Sequence, residues 1–326
     1  MLLYIYHAFG GTLMKILMVF TGGTIGSTLQ DGYIGLDSGK PYKLIESYKT
    51  RYGSDPDTEI TTLEPVNFLS ENSTGTYITA IVNAVLEHLD DGYDGIIVTH
   101  GTDTLQYTAA ALGFALGTDS VPVCLVSSDY PVEDPDANGL INLHGAFAFI
   151  RSKAGRGAFV VYRNNPEDVT VIHRATKLIA HQTLSSELFS ISDEIYGVID
   201  EDGRFTPNPG YADNPDEAAP IPFTGLTDTC TKVMRIVPFP GMVYPDVPES
   251  VRCIIHESFH SGTINTASND SRRFFDEMNS RGIRVYLTGI TPGADYESTK
   301  LYSDLHIIPV PGISPIALYM KLWMTL

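Results

Sequence analysis

Two short segments set hydroxyl groups among glycines. The first, Thr21-Gly22-Gly23-Thr24-Ile25-Gly26, directly follows an apolar run at residues 16–20. The second, Thr99-His100-Gly101-Thr102-Asp103-Thr104, directly follows Gly95-Ile96-Ile97-Val98. A threonine hydroxyl is a weak nucleophile, and attacks an acyl carbon only when a neighbouring base or a lowered pKa activates it. Glycines let the backbone approach a ligand, and their exposed N–H groups can hold a developing oxyanion. The spacing is not G-x-G-x-x-G and no lysine follows, so dinucleotide and phosphate-loop readings are weak. Each loop alone has a plainer reading: a tight strand exit for the first, a Thr/Asp helix cap for the second. Together they bring two hydroxyls and a carboxylate to the carboxyl ends of two buried strands, where α/β sheets bind ligands.

The elements holding these loops alternate along the chain. Strands are expected at 16–20, 95–99, 121–126, 158–162, 251–255, 284–287 and 306–310, most of them apolar throughout, as strands covered on both faces are. Helices are expected at 77–89, 105–116, 140–150, 271–279 and 315–323; in the first, Ile78, Ile81, Val82, Val85 and Leu89 form one stripe. The alternation argues for a doubly wound, mainly parallel α/β sheet. Five prolines and three acidic residues in 206–223 read as a linker. The expected layout is therefore a larger N-terminal domain at 14–205, a linker at 206–229 and a smaller α/β domain at 230–326.

Composition bounds the function. The 326-residue chain is 43% hydrophobic and 18% charged, the balance of a globular protein, with a net charge of −18. That charge opposes binding to nucleic acid or an anionic membrane, but not to a small zwitterion. Cys124, Cys230 and Cys253 form no disulfide or C-x-x-C pattern, which fits a reducing cytoplasm. The apolar first 20 residues lack a basic start and a small-residue cleavage site, so a signal peptide is not expected. Met14 reads as a natural start, with 1–13 an extension. No stretch reaches the ~18 apolar residues of a membrane span.

TGGTIG, then THGTDT, then GLINL in a helix, then Thr176-Lys177, closely resemble the L-asparaginase/glutaminase family, with the spacing of its cytoplasmic branch. The resemblance implies a two-domain amidohydrolase without metal or cofactor, active as a homodimer or homotetramer with sites at subunit interfaces. It implies that Thr24, beside Gly23, is the acylated nucleophile and that Tyr33 belongs to a lid. Thr102 and Asp103, beside Gly101, match the second-motif pair, and Lys177 the lysine contacting that threonine. Ser70 matches the serine holding the substrate α-carboxylate. Tyr296-Glu297 resembles a pair whose carboxylate reaches the neighbouring subunit's site. In this scheme Lys177 beside Asp103 shuttles a proton through Thr102, while Asp103 and Glu297 receive the substrate ammonium.

The specificity shell departs from the family. Glu71-Asn72 stands where Gln-Asp is usual after the serine, and Glu71 is expected to face the substrate ammonium. Ser127-Ser128-Asp129-Tyr130 is an acidic variant of a loop that meets the amide, with Ser128 among the expected substrate contacts. Gly262-Thr263 replaces a common Gly-Asn.

Two motifs mimic metal sites. His256-Glu257-Ser258-Phe259-His260 is a literal H-E-x-x-H, but zinc needs it on a helix, and here it leaves a strand. Asp134-Pro135-Asp136-Ala137-Asn138-Gly139 begins like a calcium loop but has Gly145 where a glutamate is required, so a turn capping the next helix is expected. His144, His173, His181 and His306 show no ligand-like grouping. Two rival functions remain. One is the ammonia-releasing subunit of a tRNA-dependent amidotransferase, which usually carries an extra N-terminal domain that the short leader here does not match. The other is a non-catalytic amino-acid sensor, which has no need of both threonines and the lysine.

Overall fold

The computed structural model describes residues 13–23, 25, 27–30, 33–36, 40–212, 218–290, 293 and 296–326, with the backbone alone at 27–30, 33–36 and 40–42. Twelve of its strands form two sheets. The larger has the order β4-β1-β5-β6-β7-β8-β9-β10. Its strands are β1 (Met14–Phe20), β4 (Thr58–Leu63), β5 (Gly95–Thr99), β6 (Val123–Val126), β7 (Ala158–Tyr162), β8 (Thr170–Arg174), β9 (Gly197–Ile199) and β10 (Phe205–Pro207). The five from β4 to β7 are parallel, and β8, β9 and β10 extend the sheet antiparallel. A separate hairpin pairs β2 (Ser27–Gln30) with β3 (Tyr33–Leu36).

The period of β1 shows why its strands read as apolar throughout. Leu17 and Val19 enter the core under α2 (Gly75–Leu86) and α3 (Leu105–Leu116). Ile16, Met18 and Phe20 enter the opposite core under α1 (Lys40–Tyr52) and α4 (Gly139–Ser152). Both faces are covered, so both sets of side chains are apolar.

The smaller sheet, β11 (Val233–Ile236), β12 (Cys253–His256), β13 (Arg284–Leu287) and β14 (Ile307–Pro309), is entirely parallel. On one face α5 (Asn269–Ser280) packs Phe274, Phe275 and Met278. On the other lies α6 (Pro315–Thr325), whose Ala317, Leu318 and Met320 join the core that holds α3. Both helices start on serine caps: Ser268 Oγ accepts the Ser271 N–H and Ser314 Oγ the Ala317 N–H, each at 3.1 Å. Because α6 covers its outer side, α3 is buried all round, and Leu105, Leu112, Phe114 and Leu116 are each under 5% exposed. The described ends of the proline-rich run reach the large sheet and this core. Thr206 and Pro207 belong to β10, and the Ile221 N–H bonds the Phe114 carbonyl at 2.7 Å.

All seven expected strands and five expected helices are present within a few residues, in a doubly wound, mainly parallel arrangement with a second, smaller parallel sheet. The structure adds α1, β4, β8–β11 and the hairpin to the elements expected from sequence. Strand β4 is an edge strand, Thr-Glu-Ile-Thr-Thr-Leu, with alternating partial exposure, so no apolar run marks it. No described helix is long and apolar enough to cross a membrane.

Candidate active site

From β1 the chain passes to β4 on one side of the sheet, and from β5 to β6 on the other. The carboxyl ends of β1 and β5 therefore flank a topological switch point, where connections part and leave a crevice. Both threonine-glycine loops leave from here. The Thr21 hydroxyl donates to the Thr99 carbonyl at 2.7 Å, tying the two exits together.

A third segment closes on them. The Gly23 N–H bonds the Phe68 carbonyl at 3.1 Å, and the Phe68 N–H bonds the Thr21 carbonyl at 3.2 Å. Gly23 has φ +76°, and a Cβ there would stand 2.4 Å from the Gly101 Cα. A Cβ on Gly101 would meet the Ser70 Cβ and Oγ at 2.5 Å. Gly23, Gly101 and Ser70 thus stack in a contact that only bare backbone permits. The glycines expected to approach a ligand also approach one another.

This stack sets the polar groups. Buried Ser70 donates from Oγ to Asp103 Oδ2 at 3.1 Å. The Thr104 hydroxyl donates to the Ser70 carbonyl at 2.9 Å, and Gln106 Nε2 to the Asp103 carbonyl at 3.0 Å. The helix-cap alternative for this loop fails: no side chain caps the 3-10 turn Thr102–Thr104 or α3. Beneath lies His100, fully buried, with Nδ1 bonded to the Gly101 carbonyl and Nε2 to the Thr108 hydroxyl, each at 2.9 Å. A carbonyl only accepts, so Nδ1 carries the proton and Nε2 accepts from Thr108. Burial pushes the His100 pKa down to about 4 and keeps the ring neutral. The buried Ser127 donates from Oγ to the His100 carbonyl at 2.7 Å. These supports escaped the sequence reading, because nothing in a lone histidine or serine reveals which carbonyl it will hold.

Thr102, Asp103, Asp129, Tyr130 and His181 line one cavity of 520 Å³. The acidic loop therefore does border the candidate site. It also does structural work: Ser128 accepts the Gly139 N–H at 3.1 Å and donates to the Tyr130 carbonyl at 2.5 Å, while Asp129 Oδ1 accepts the Asn138 N–H at 3.0 Å. The cap of α4 comes from this loop, and not from the 134–138 turn, whose Asn138 makes no side-chain cap. His181 donates from Nδ1 to the Glu187 carbonyl at 3.1 Å.

Lys177, 4% exposed, donates from Nζ to the Gly312 carbonyl and pairs with Glu194 Oε2, each at 3.1 Å. Among the described residues no hydrogen bond joins it to Thr102. Glu71 follows Ser70 in a 3-10 turn and is exposed. Glu297, on the small-sheet unit, is exposed and paired with Lys300 at 2.7 Å. Thr24 lies outside the described residues; Tyr33 is placed by its backbone in β3, and its side chain lies outside them.

The H-E-x-x-H string is not helical. His256 ends β12, buried, with Nδ1 donating to the Glu257 carbonyl at 2.6 Å and Nε2 accepting from the Tyr244 hydroxyl at 3.1 Å. Glu257 pairs with Arg235 at 2.6 Å. Both nitrogens of His256 and the carboxylate are thus engaged within the protein.

Comparison with known proteins bears on the fold and the family. A glutamyl-tRNA(Gln) amidotransferase subunit of Methanosarcina barkeri is 30% identical over 198 residues, 60% of this chain and 46% of that protein. An L-asparaginase of Thermococcus kodakarensis is 35% identical over 151 residues, 46% of this chain and 44% of that protein. These matches span less than half the length of the curated relatives. The solved structure of the thermostable L-asparaginase from Thermococcus kodakarensis superposes with a TM-score of 0.76 at 25% identity, covering 95% of this chain and 92% of that one. A family model described as Asparaginase, N-terminal, matches residues 15–205. The chain belongs to the asparaginase family.

Proposed function

We propose that this amidohydrolase converts L-asparagine and water to L-aspartate and ammonia through an acyl-enzyme. The Thr24 hydroxyl oxygen bonds to the side-chain amide carbon, ammonia leaves, and water then hydrolyses the ester to restore the threonine. N–H groups of the Gly23 and Gly101 loops stabilise the tetrahedral oxyanion. Ser70 receives the substrate α-carboxylate and Asp103 its ammonium. Thr102 and Lys177 move the proton, and Tyr33 assists Thr24. The observation that carries this reading is the stack of Gly23, Gly101 and Ser70, which puts the Ser70 hydroxyl 3.1 Å from Asp103. No cofactor is invoked. The working form is a homodimer or homotetramer completed by Glu297 of a neighbouring subunit, and the compartment is a reducing cytoplasm, which suits three free cysteines.

Ammonia release by purified protein, measured over L-asparagine, D-asparagine, L-glutamine and short asparagine peptides, tests the substrate. Thr24→Ala is expected to abolish turnover with the melting temperature unchanged. An undiminished rate in that variant refutes the mechanism.

One observation favours a second reading. The similarity to the amidotransferase protein extends over 198 residues. In that role the same site releases ammonia from glutamine for a partner that amidates glutamyl-tRNA. Glutaminase activity that is weak alone and stimulated by the partner with charged tRNA would select it.

A further inference from the structure

Lys177 ends the short 3-10 turn Ala175–Lys177, and its side chain is buried. A charge taken out of water has to be met by acceptors and by an opposite charge. Among the described residues two groups meet this one. The Gly312 carbonyl, in the loop between β14 and α6, accepts from Nζ at 3.1 Å, and Glu194 Oε2 stands 3.1 Å from the same nitrogen. An ammonium has three N–H donors and no acceptor. A carbonyl and a carboxylate only accept, so two of the three N–H bonds are committed. One position on the nitrogen remains, and it alone can alternate between an N–H bond and a lone pair. Because the bonds about the nitrogen are tetrahedral, fixing two of them sets the direction of the third.

The backbone that delivers Glu194 adopts an uncommon conformation. Ser192 and Asp193, directly before it, have φ +53° and +54°, left-handed in succession, and neither is glycine. Residues with a Cβ resist that region. The turn is tied down nonetheless. The Asp193 N–H bonds the Ser190 carbonyl at 3.2 Å, the Glu194 N–H the Ile191 carbonyl at 3.0 Å and the Ile195 N–H the Asp193 carbonyl at 2.8 Å. Ser190 is anchored in turn. It forms a β-bridge with Leu178, the residue after Lys177, and a 2.8 Å hydrogen bond joins its Oγ to His173 Nδ1. The segment carrying the carboxylate is therefore fastened to the segment carrying the lysine. Left-handed residues other than glycine persist where the surrounding structure imposes them, and they gather at functional sites.

We propose that Glu194 is a positioning residue for the hydrolysis: with the Gly312 carbonyl it fixes the Lys177 ammonium so that the third N–H is the one exchanged with the Thr102 hydroxyl. The proton passes between Nζ and the Thr102 oxygen, and Glu194 neither gains nor loses one. The proposal rests on Lys177 moving a proton through Thr102, as in the function proposed above. Catalytic hydrogen bonds often tighten only in the Michaelis complex, which is where the contact to Thr102 is placed.

A double-mutant cycle on the full chain tests it, with kcat and KM for ammonia release from L-asparagine and a melting temperature for every variant. Glu194 is half-exposed, so solvent screens it, and Glu194→Ala is expected to lower kcat about 10-fold rather than 100-fold. KM should stay within about 2-fold, because the lysine meets the reaction and not the bound amino acid. Glu194→Gln keeps an acceptor oxygen at the same reach and should lose only about 3-fold. In a Lys177→Met background Glu194→Ala should cost nothing further. A merely structural residue would lower kcat by the same factor in both backgrounds, and that result overturns the proposal. So does a kcat in Glu194→Ala within about 2-fold of wild type while Lys177→Met is slow. If Lys177→Met is itself undiminished, the lysine carries no proton, and the proposal falls with that role. A readout free of turnover stands beside the kinetics. An ammonium held by fixed acceptors away from solvent gives an observable nitrogen resonance by NMR, and that of Lys177 is identified by its loss in Lys177→Met. It is expected in the wild type and lost, through faster exchange, in Glu194→Ala. A resonance that is the same in both proteins, present or absent, overturns the proposal whether or not any amide is hydrolysed. The expected resonances without ammonia release from any amide would refute the amidohydrolase activity instead, while leaving Glu194 as the group that holds the lysine.

Discussion

Adding one methyl group at Gly101 tests the stacked loops directly. Its backbone, at φ −76° and ψ 150°, suits any residue, so Gly101→Ala introduces no conformational strain. The new Cβ would stand 2.5 Å from the Ser70 Cβ and Oγ, and the next heavy atom is the Gly23 Cα at 3.2 Å. Ordinary contact begins near 3.4 Å, so Ser70 must yield by roughly 1 Å, and its hydroxyl then leaves Asp103. Overpacking of this kind costs about 1–3 kcal/mol. For a protein of this size, with an unfolding entropy of about 0.7 kcal/mol/K, that lowers the melting temperature by roughly 1.5–4.5 °C. A misplacement of about 1 Å in a group that orients substrate costs on the order of 10²-fold in kcat/KM. Stability and activity are separable here. In Gly101→Ala/Ser70→Gly the offending side chain is gone, so the melting temperature should recover while kcat/KM stays low, because the serine is lost as well. Scanning calorimetry and ammonia-release kinetics on the wild type, both single variants and the double variant complete the cycle. If Gly101→Ala keeps kcat/KM within about 3-fold of wild type, or if the double variant melts no higher than Gly101→Ala, Ser70 does not depend on bare backbone at Gly101.

Stability should fall on mild acidification. Burial holds the pKa of His100 near 4 and that of His173 near 3, against an ordinary 6.5, so the unfolded chain takes up protons that the folded chain refuses. These groups leave stability intact above about pH 6.5 and withdraw it progressively as pH falls through 6.5 towards their folded values; unfolding free energies from denaturant titrations at pH 7.5 and 5.0 should differ by about 4 kcal/mol, roughly 2 from each histidine, and identical midpoints would be contrary to the structure. Lys177→Met should lower kcat about 10²- to 10⁴-fold, the size of a proton-transfer contribution; a change confined to stability would mean that its bonds to Gly312 and Glu194 are its whole role. Inactive Thr24→Ala and Glu297→Ala oligomers, refolded together, should regain activity, because a mixed dimer combines an intact Thr24 with an intact Glu297; no recovery in verified mixed dimers would show that each chain completes its own site.

The readable part of this protein was the part where local chemistry and tertiary demand coincide. Strands buried on both faces, such as Gly95–Thr99, can only be apolar, and the two glycine-bearing loops at their ends announce themselves. Edge strand β4 and the antiparallel extension β8–β10 draw their definition from neighbours, so their short or mixed sequences carry no mark of their own. The same division holds in the site. Asp103 stands out by its place in a threonine-glycine loop and Ser70 only by the resemblance to the family, and the two do meet. That Lys177 would reach the Gly312 carbonyl, far along the chain, was not legible, because a lysine's partner is settled by which segment folds back over it. The 127–130 loop resembles, in an acidic variant, one that meets the amide; its second occupation, closing the amino end of α4, depends on where residues 138 and 139 arrive.

The wrapping of α3 has a consequence for biosynthesis. The helix leads out of the Thr102–Asp103 loop, and its outer side is covered by α6, some 200 residues further along the chain. On the ribosome α3 emerges long before α6 exists. Until then an apolar face built from Leu112, Phe114 and their neighbours has no cover, the kind of surface that recruits chaperones and invites aggregation. The nascent N-terminal half can assemble its sheet but cannot clothe the helix that follows the Thr102–Asp103 loop. A covered α3 therefore waits on α6, and a chain cut between the two helices would meet the cell's quality control with that face bare.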